Sequence, residues 1–417
     1  MSKFLHCGRW NKNYKFILLT AIFAFFTNYI FGYIFNDYLD EIKMFNQTND
    51  NDNNHIIINY LFRYLGLILI SFILYKYELN SRMIIYNNSQ ENIENQINIS
   101  PLFILLIMII MVLQEISEDI FYKSNLRALD FWMFELPLLS YFNLKYFKFK
   151  IYRHHKLVIY TNLIICGILK ILYLISSIND NNQERKNKSV FKYYSESWEV
   201  IPFGIFIYII IMTSRDFALS EIKILMQYKY FSIFNILIIY GFIGIILTAI
   251  IGIISTFIEC NKYYSASVLK ICKIKDNTNK IYLENFKIWW NDEINISKII
   301  ILLIGVILNY CYRLFYILII KNLTAIHIIF SFLFYTYFLG MIGNIKNYLD
   351  NKNDNISSLL SDALVLTIHT VVFIGLLIYL EMIELDFCDL NYNLKKSIMD
   401  RSIQDYELEI DVEEDEA

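Results

Sequence analysis

The stretch YFSIFNILIIYGFIGIILTAIIGIISTFI, Tyr230 to Ile258, runs for 29 residues without a single Asp, Glu, Lys or Arg. A helix of that length, rising about 1.5 Å per residue, exceeds the ~30 Å hydrocarbon core of a bilayer. The stretch therefore predicts a transmembrane helix that tilts or emerges from the membrane. Buried helices of soluble proteins usually show apolar runs only about 10–14 residues long.

Working outward, similar windows recur at 16–35, 56–75, 102–122, 157–178, 200–220, 299–320, 323–343 and 363–384. A tenth window, 126–146 (LRALDFWMFELPLLSYFNLKY), carries Arg127, Asp130, Glu135 and Lys145. It follows the third span after three residues, and its aromatic content suits a helix shielded by its neighbours. The whole chain of 417 residues is 56% hydrophobic and 18% charged, against about 45–50% and 25% in soluble proteins. This composition excludes a soluble multidomain enzyme, a nucleic-acid-binding module and a disulfide-stapled secreted domain. The expected fold is an all-α polytopic membrane bundle of about ten transmembrane helices. Asn-rich tracts such as Asn49 to Asn54 read as hydrated loops.

Lys and Arg test the sidedness, because short cytoplasmic loops hold the excess. With ten spans and the N-terminus inside, inner segments carry 16 and outer segments 15, but seven of the outer ones lie in one loop, 259–298. Setting that loop aside leaves 16 against 8. The strongest local vote is the basic group Lys148, Lys150, Arg153 and Lys156 beside His154 and His155. Both termini are expected in the cytoplasm of an endomembrane or plasma-membrane protein. Residues 1–15, with four basic side chains before an apolar stretch and no small-residue cleavage site after it, read as the flank of a signal anchor. The tail 386–417 is acidic.

The spans divide into two groups of five, 16–178 and 200–385, separated by a linker at 179–199. Spans three and four, and spans eight and nine, are joined by very short connections. An odd number of spans per half makes the second enter the membrane with opposite polarity, the inverted-repeat plan of many secondary transporters. A shift of 198 residues aligns Lys123 with Lys321 and places Glu115 on Arg313.

That layout, with tight three-to-four and eight-to-nine hairpins and a basic loop between spans four and five, resembles the drug/metabolite transporter superfamily. The long outer loop with CNKYYSASVLKIC, Cys260 to Cys272, running on to Trp289 and Trp290, is more particularly similar to the chloroquine-resistance-transporter branch. A nucleotide-sugar-transporter-like layout is the related alternative. Only 12 glycines and three prolines depart from the pattern. The resemblance implies that spans one to four and six to nine line a cavity, with five and ten peripheral and a candidate homodimer contact. Cys260 and Cys272 form a candidate disulfide in an oxidising lumen or exterior.

Ionisable residues inside a membrane are costly, so each is a functional candidate beside a structural one. Glu115, Glu118 and Asp119 in QEISEDIFY fall on one helical face. They either sit wet at the outer interface or line a pathway. Asn309, Arg313 and Tyr316 share a face of span eight, with Glu115 or an anionic solute group as the natural partner of Arg313. Asn59 and Arg63 share a face of span two, and Asp130 and Glu135, with Arg127, are expected to pair with them or to line the pathway. Arg215 and Asp216 are adjacent and expected to point apart. Gly241, Gly244, Thr248 and Gly252 form a small-residue stripe for close helix packing. His327 and His369 read as packing histidines. His154 and His155 read as a solvated loop, because adjacent residues diverge on a helix and no carboxylate motif accompanies them.

The functional expectation is a solute carrier that moves a small organic solute by alternating access, with Glu115 as the candidate for proton coupling. The alternative is a non-transporting multi-pass protein, a scaffold or membrane-embedded enzyme. The chain shows no nucleophile–base pair, metal-ligand helix motif or phosphate-cradling loop, so neither catalysis nor a metal or other cofactor is expected. Its expected partners are the lipid bilayer and an unidentified small molecule, and not nucleic acid.

Overall fold

The computed structural model describes residues 5–7, 14–45, 56–86, 101–123, 135–147, 151–179, 200–227, 231–257, 296–350 and 356–385. Ten helices occupy them: α1 Tyr14–Phe45, α2 Ile56–Tyr86, α3 Pro101–Lys123, α4 Glu135–Phe147, α5 Arg153–Asn179, α6 Val200–Gln227, α7 Ile233–Phe257, α8 Ile296–Asn322, α9 Ala325–Asp350 and α10 Ile356–Tyr379. Each overlaps one expected window, and the fold is helical as anticipated. The fourth overlaps only in part, since its described helix begins at Glu135 and the preceding residues of that window lie outside the described residues. A short antiparallel ribbon is added, β1 Leu5–Cys7 on β2 Ile383–Leu385, with Cys7 opposite Ile383.

Four of these helices hold segments long and apolar enough to cross a membrane: Pro101–Glu118, Arg153–Tyr173, Ile233–Ile253 and Ile299–Asn322. Shorter apolar segments lie in α1, α9 and α10. Their outward faces are apolar too. On α5, Tyr160, Ile164, Ile168 and Leu172 form an exposed stripe, and on α8 Ile300, Ile304 and Ile307 do the same. Water would penalise such stripes, whereas lipid covers them at no cost.

All three prolines of the chain, Pro101, Pro137 and Pro202, fall in the first turn of a helix. There the missing N–H interrupts no helical hydrogen bond. Histidines complete two other helix starts. The Tyr152 N–H donates to His155 Nδ1 at 3.1 Å, and the Thr324 N–H points at His327 Nδ1 at 3.3 Å, beside a 2.8 Å contact from Thr324 Oγ1. Both are the reciprocal N-terminal cap in which the third helical side chain satisfies the capping residue's N–H.

The helices form two compact units that cut across the expected halves. One gathers residues 15–131 and 184–335, the other residues 1–14, 132–183 and 336–417. In the first, α2 packs most extensively on α7, α3 lies against α6 and α7, and α8 against α2. Close approach of α2 and α7 depends on Gly241 and Gly244, where an added methyl would run into Ile68 and the ring of Tyr64. In the second unit α5 packs on α10, with Gly375 tight against Asn162. Tyr337 of α9 stacks on Phe373 of α10, centroids 5.6 Å apart, and Ser140 of α4 meets Tyr379 Oη at 2.8 Å.

The end of α10 is unusual. The Met382 N–H donates to the Leu377 carbonyl at 2.9 Å and the Glu381 N–H to that of Ile378 at 3.1 Å. This is the Schellman closure, which puts the residue after the cap in the left-handed region and normally selects glycine. Here it is Glu381, at φ 57°, a conformation that costs an L side chain about 1–2 kcal/mol.

Candidate functional site

The first unit encloses a group of charged side chains. Glu115 of α3 is reached from three other helices. Arg313 of α8 forms an ion pair with its carboxylate. Tyr64 of α2 donates to Oε2 at 3.1 Å, and Tyr240 of α7 donates to the same oxygen. The hydroxyl of Tyr60 lies 3.4 Å from the Glu115 main-chain carbonyl. The pair is mostly buried, the Glu115 and Arg313 side chains being 14% and 12% exposed.

Aromatic faces complete the enclosure. The Arg313 guanidinium lies 5.2 Å from the ring centre of Tyr312, 5.7 Å from Tyr240 and 5.9 Å from Tyr316, all within cation–π range. Tyr64 meets Tyr240 edge-on at 5.5 Å and stacks with Tyr60 at 5.8 Å. Tyr60 also carries the Arg63 guanidinium 5.8 Å above its ring. Asn309, one turn before Arg313 on α8, is buried.

A second charged group continues along α3 toward α6. Arg215 Nη1 lies 3.7 Å from Glu118, and its Nε lies 3.5 Å from Asp216, which is fully buried. Gln114 donates to the other Glu118 oxygen. The expectation that Arg215 and Asp216 point apart is corrected here. The long arginine side chain folds back over its neighbour because α3 packs against α6 and supplies the carboxylate of Glu118. Near the end of α6, Lys223 is buried and donates to the Leu323 carbonyl just past α8. Lys223 lies beyond the apolar window 200–220, and burial lowers its pKa to about 8.

The structure thus brings together Glu115, Glu118, Arg313 and Arg215, with Arg63 and Asn309 on the contributing helices. Asp130, Arg127, Cys260 and Cys272 lie outside the described residues, as do the side chains of Glu135, Asn59 and Asp119. Thr248 is buried, and Gly252 is partly buried farther along α7. Sequence reasoning did not single out Tyr60, Tyr64, Tyr240 or Tyr312. In a chain of 33 tyrosines, only the four-residue spacing of Tyr60 and Tyr64 on a charged helix face hints at them.

In the second unit His154 corrects the reading of a solvated loop. It is 2% exposed, with Nε2 3.6 Å from Glu381 Oε1, and Tyr152 stacks on both histidine rings. Adjacent residues diverge in the middle of a helix, but these two occupy its first turn, and their ring centroids are 3.9 Å apart. The carboxylate missing from the local sequence arrives from the turn after α10. His369 bonds the Val365 carbonyl of its own helix at 2.9 Å.

Four helices long and apolar enough to cross a membrane, together with a charged group enclosed among α2, α3, α6, α7 and α8, are consistent with a helical membrane protein. No protein-family model matches the chain, and no curated protein is similar to it.

Proposed function

We propose that the protein is an integral membrane solute carrier, built of two inverted five-helix repeats with both termini cytoplasmic. It moves a small organic solute by alternating access, and the Glu115–Arg313 pair is its gate. The observation that carries this reading is the ion pair itself, held inside a membrane bundle by tyrosines from α2, α7 and α8. Intramembrane charge is expensive and marks pathways and relays. A proton on Glu115, or a solute group of either charge, would compete for one partner and release the other.

The helix pairing supports the repeat. Helices five apart in the chain pack together, α2 with α7 and α5 with α10, and the contact of α3 on α7 has its counterpart in α8 on α2. The packing of α3 on α6 is matched by Phe16 and Phe23 of α1 against Phe315 of α8. Two copies related by a two-fold axis produce these reciprocal contacts. Glu115 and Arg313, 198 residues apart at equivalent places in α3 and α8, touch each other, as equivalent residues do only near such an axis.

Uptake into proteoliposomes, screened over small organic cations, anions and short peptides with and without a pH gradient, tests the proposal. Glu115→Gln and Arg313→Ala abolish the flux while leaving the protein monodisperse; flux unchanged in both removes the pair from the mechanism. One observation favours a non-transporting scaffold instead. Glu115, Glu118, Arg215 and Arg313 all have partners inside the bundle, as a purely structural network would. A stoichiometric co-purifying protein with no flux for any solute would select that reading.

A further inference from the structure

The first turn of α5 and the turn closing α10 assemble a second cluster that plays no part in the proposed gate. One ligand atom each from His154, His155 and Glu381 lies within 4.8 Å of the others. His154 is 2% exposed, and neither of its ring nitrogens has a hydrogen-bond partner. Buried imidazoles are ordinarily satisfied on at least one side. An imidazole nitrogen left without a hydrogen bond, 3.6 Å from a carboxylate oxygen, is what a metal ion takes up as a ligand.

We propose that His154, His155 and Glu381 bind one divalent d-block cation of the zinc class. Two imidazoles and one carboxylate are the donor set that such ions favour, whereas magnesium and calcium take oxygen donors alone. His155 fits the role through Nδ1. That atom now accepts the Tyr152 N–H at 3.1 Å, and the ring's remaining N–H is directed at the Tyr379 main-chain carbonyl. A ligating histidine usually donates its second nitrogen in this way, which fixes its tautomer. Arg153 and Lys156, the cations beside these histidines in the first turn of α5, are exposed.

Glu381 is placed by backbone geometry. It stands in the left-handed turn position where glycine is the rule, and that position directs its side chain to His154. Ligands around zinc sit about 2.0–2.2 Å from the ion, so the three donors must draw closer than they stand here. Bound metal would then clip the start of α5 to the end of α10.

The full-length chain, purified in detergent, freed of any affinity tag and stripped with chelator, is titrated with Co2+ and then with Zn2+ in competition. The expected result is one equivalent of Co2+ with visible d–d absorption, displaced by Zn2+, and a rise in the unfolding temperature with either ion. Glu381→Gly relieves the left-handed turn and keeps the fold, yet lowers Co2+ affinity by more than about a hundredfold and removes the metal-dependent rise. His154→Gln does the same. The proposal is overturned if the unaltered chain binds no stoichiometric Co2+, or if the absorption survives in Glu381→Gly.

Discussion

Two buried polar groups in this chain are built on opposite terms. Around Glu115, a guanidinium and two phenols converge on one carboxylate, and the guanidinium is covered by ring faces. Around His154 there is burial without hydrogen bonding, and a carboxylate held at arm's length by a strained turn. A saturated group resists the loss of any member, because each removal leaves another charge buried alone. An unsaturated one loses little stability with its acid, and instead gains from a ligand. Burial of polar side chains alone therefore says nothing about whether a site is structural or receptive; the count of satisfied partners does.

The largest effect expected from breaking the contrast is at the ion pair. Glu115→Gln or Arg313→Met alone should destabilise the protein by about 3–5 kcal/mol, the usual cost of stranding one member of a buried pair. The double variant should recover most of that loss, which a double-mutant cycle on thermal unfolding in detergent measures. Additive losses would mean that the two side chains do not depend on one another. Next comes the seam that brings Tyr64 to Tyr240. Gly244→Val pushes into the Tyr64 ring and should cost about 1–3 kcal/mol, while weakening the coupling measured in the same cycle.

Lys223 is an intermediate case, a buried amine on a helix-end carbonyl. Burial holds its folded pKa at about 8, below the ordinary lysine value of 10.5, so its charged form is disfavoured on folding. Its contribution to stability is fullest above 10.5 and is lost as pH falls through about 8. Unfolding temperatures between pH 7.5 and 10.5 should therefore rise with pH, and Lys223→Met should flatten that slope. The smallest effect is at the unsaturated cluster, where Glu381→Gly in the absence of metal should stabilise the turn by about 1 kcal/mol. A loss of several kcal/mol instead would show that Glu381 already serves as a structural partner, and the contrast between the two groups would collapse.

Much of the fold was legible. Each apolar window overlaps one of the ten described helices, since lipid-compatible hydrophobicity is a property of consecutive side chains. Several helices run seven to eleven residues past their windows, because polar residues continue a helix beyond its apolar part. The natural pairing of Arg313 with Glu115 could be named because few charges lie inside the apolar windows. The Arg215–Glu118 contact was missed, because it depends on which helix lies beside α6. The tyrosines were illegible for a different reason: in so aromatic a chain, a phenol aimed at a carboxylate looks no different from one facing lipid. His154 and Glu381 are separated by more than 220 residues, and the backbone turn that joins them has glycine as its expected residue.

The sequence by itself determined that this chain is helical and where the apolar parts of its helices lie. Those are local consequences of hydropathy and of where proline can sit. Only the tertiary structure decided which helices are neighbours, drawing compact units from both halves of the chain rather than from either one. It decided, too, that the carboxylate of Glu115 is saturated while the buried imidazole of His154 has no hydrogen bond. Whether a buried polar atom is satisfied depends on groups that arrive from other helices, and no local pattern in the chain encodes that.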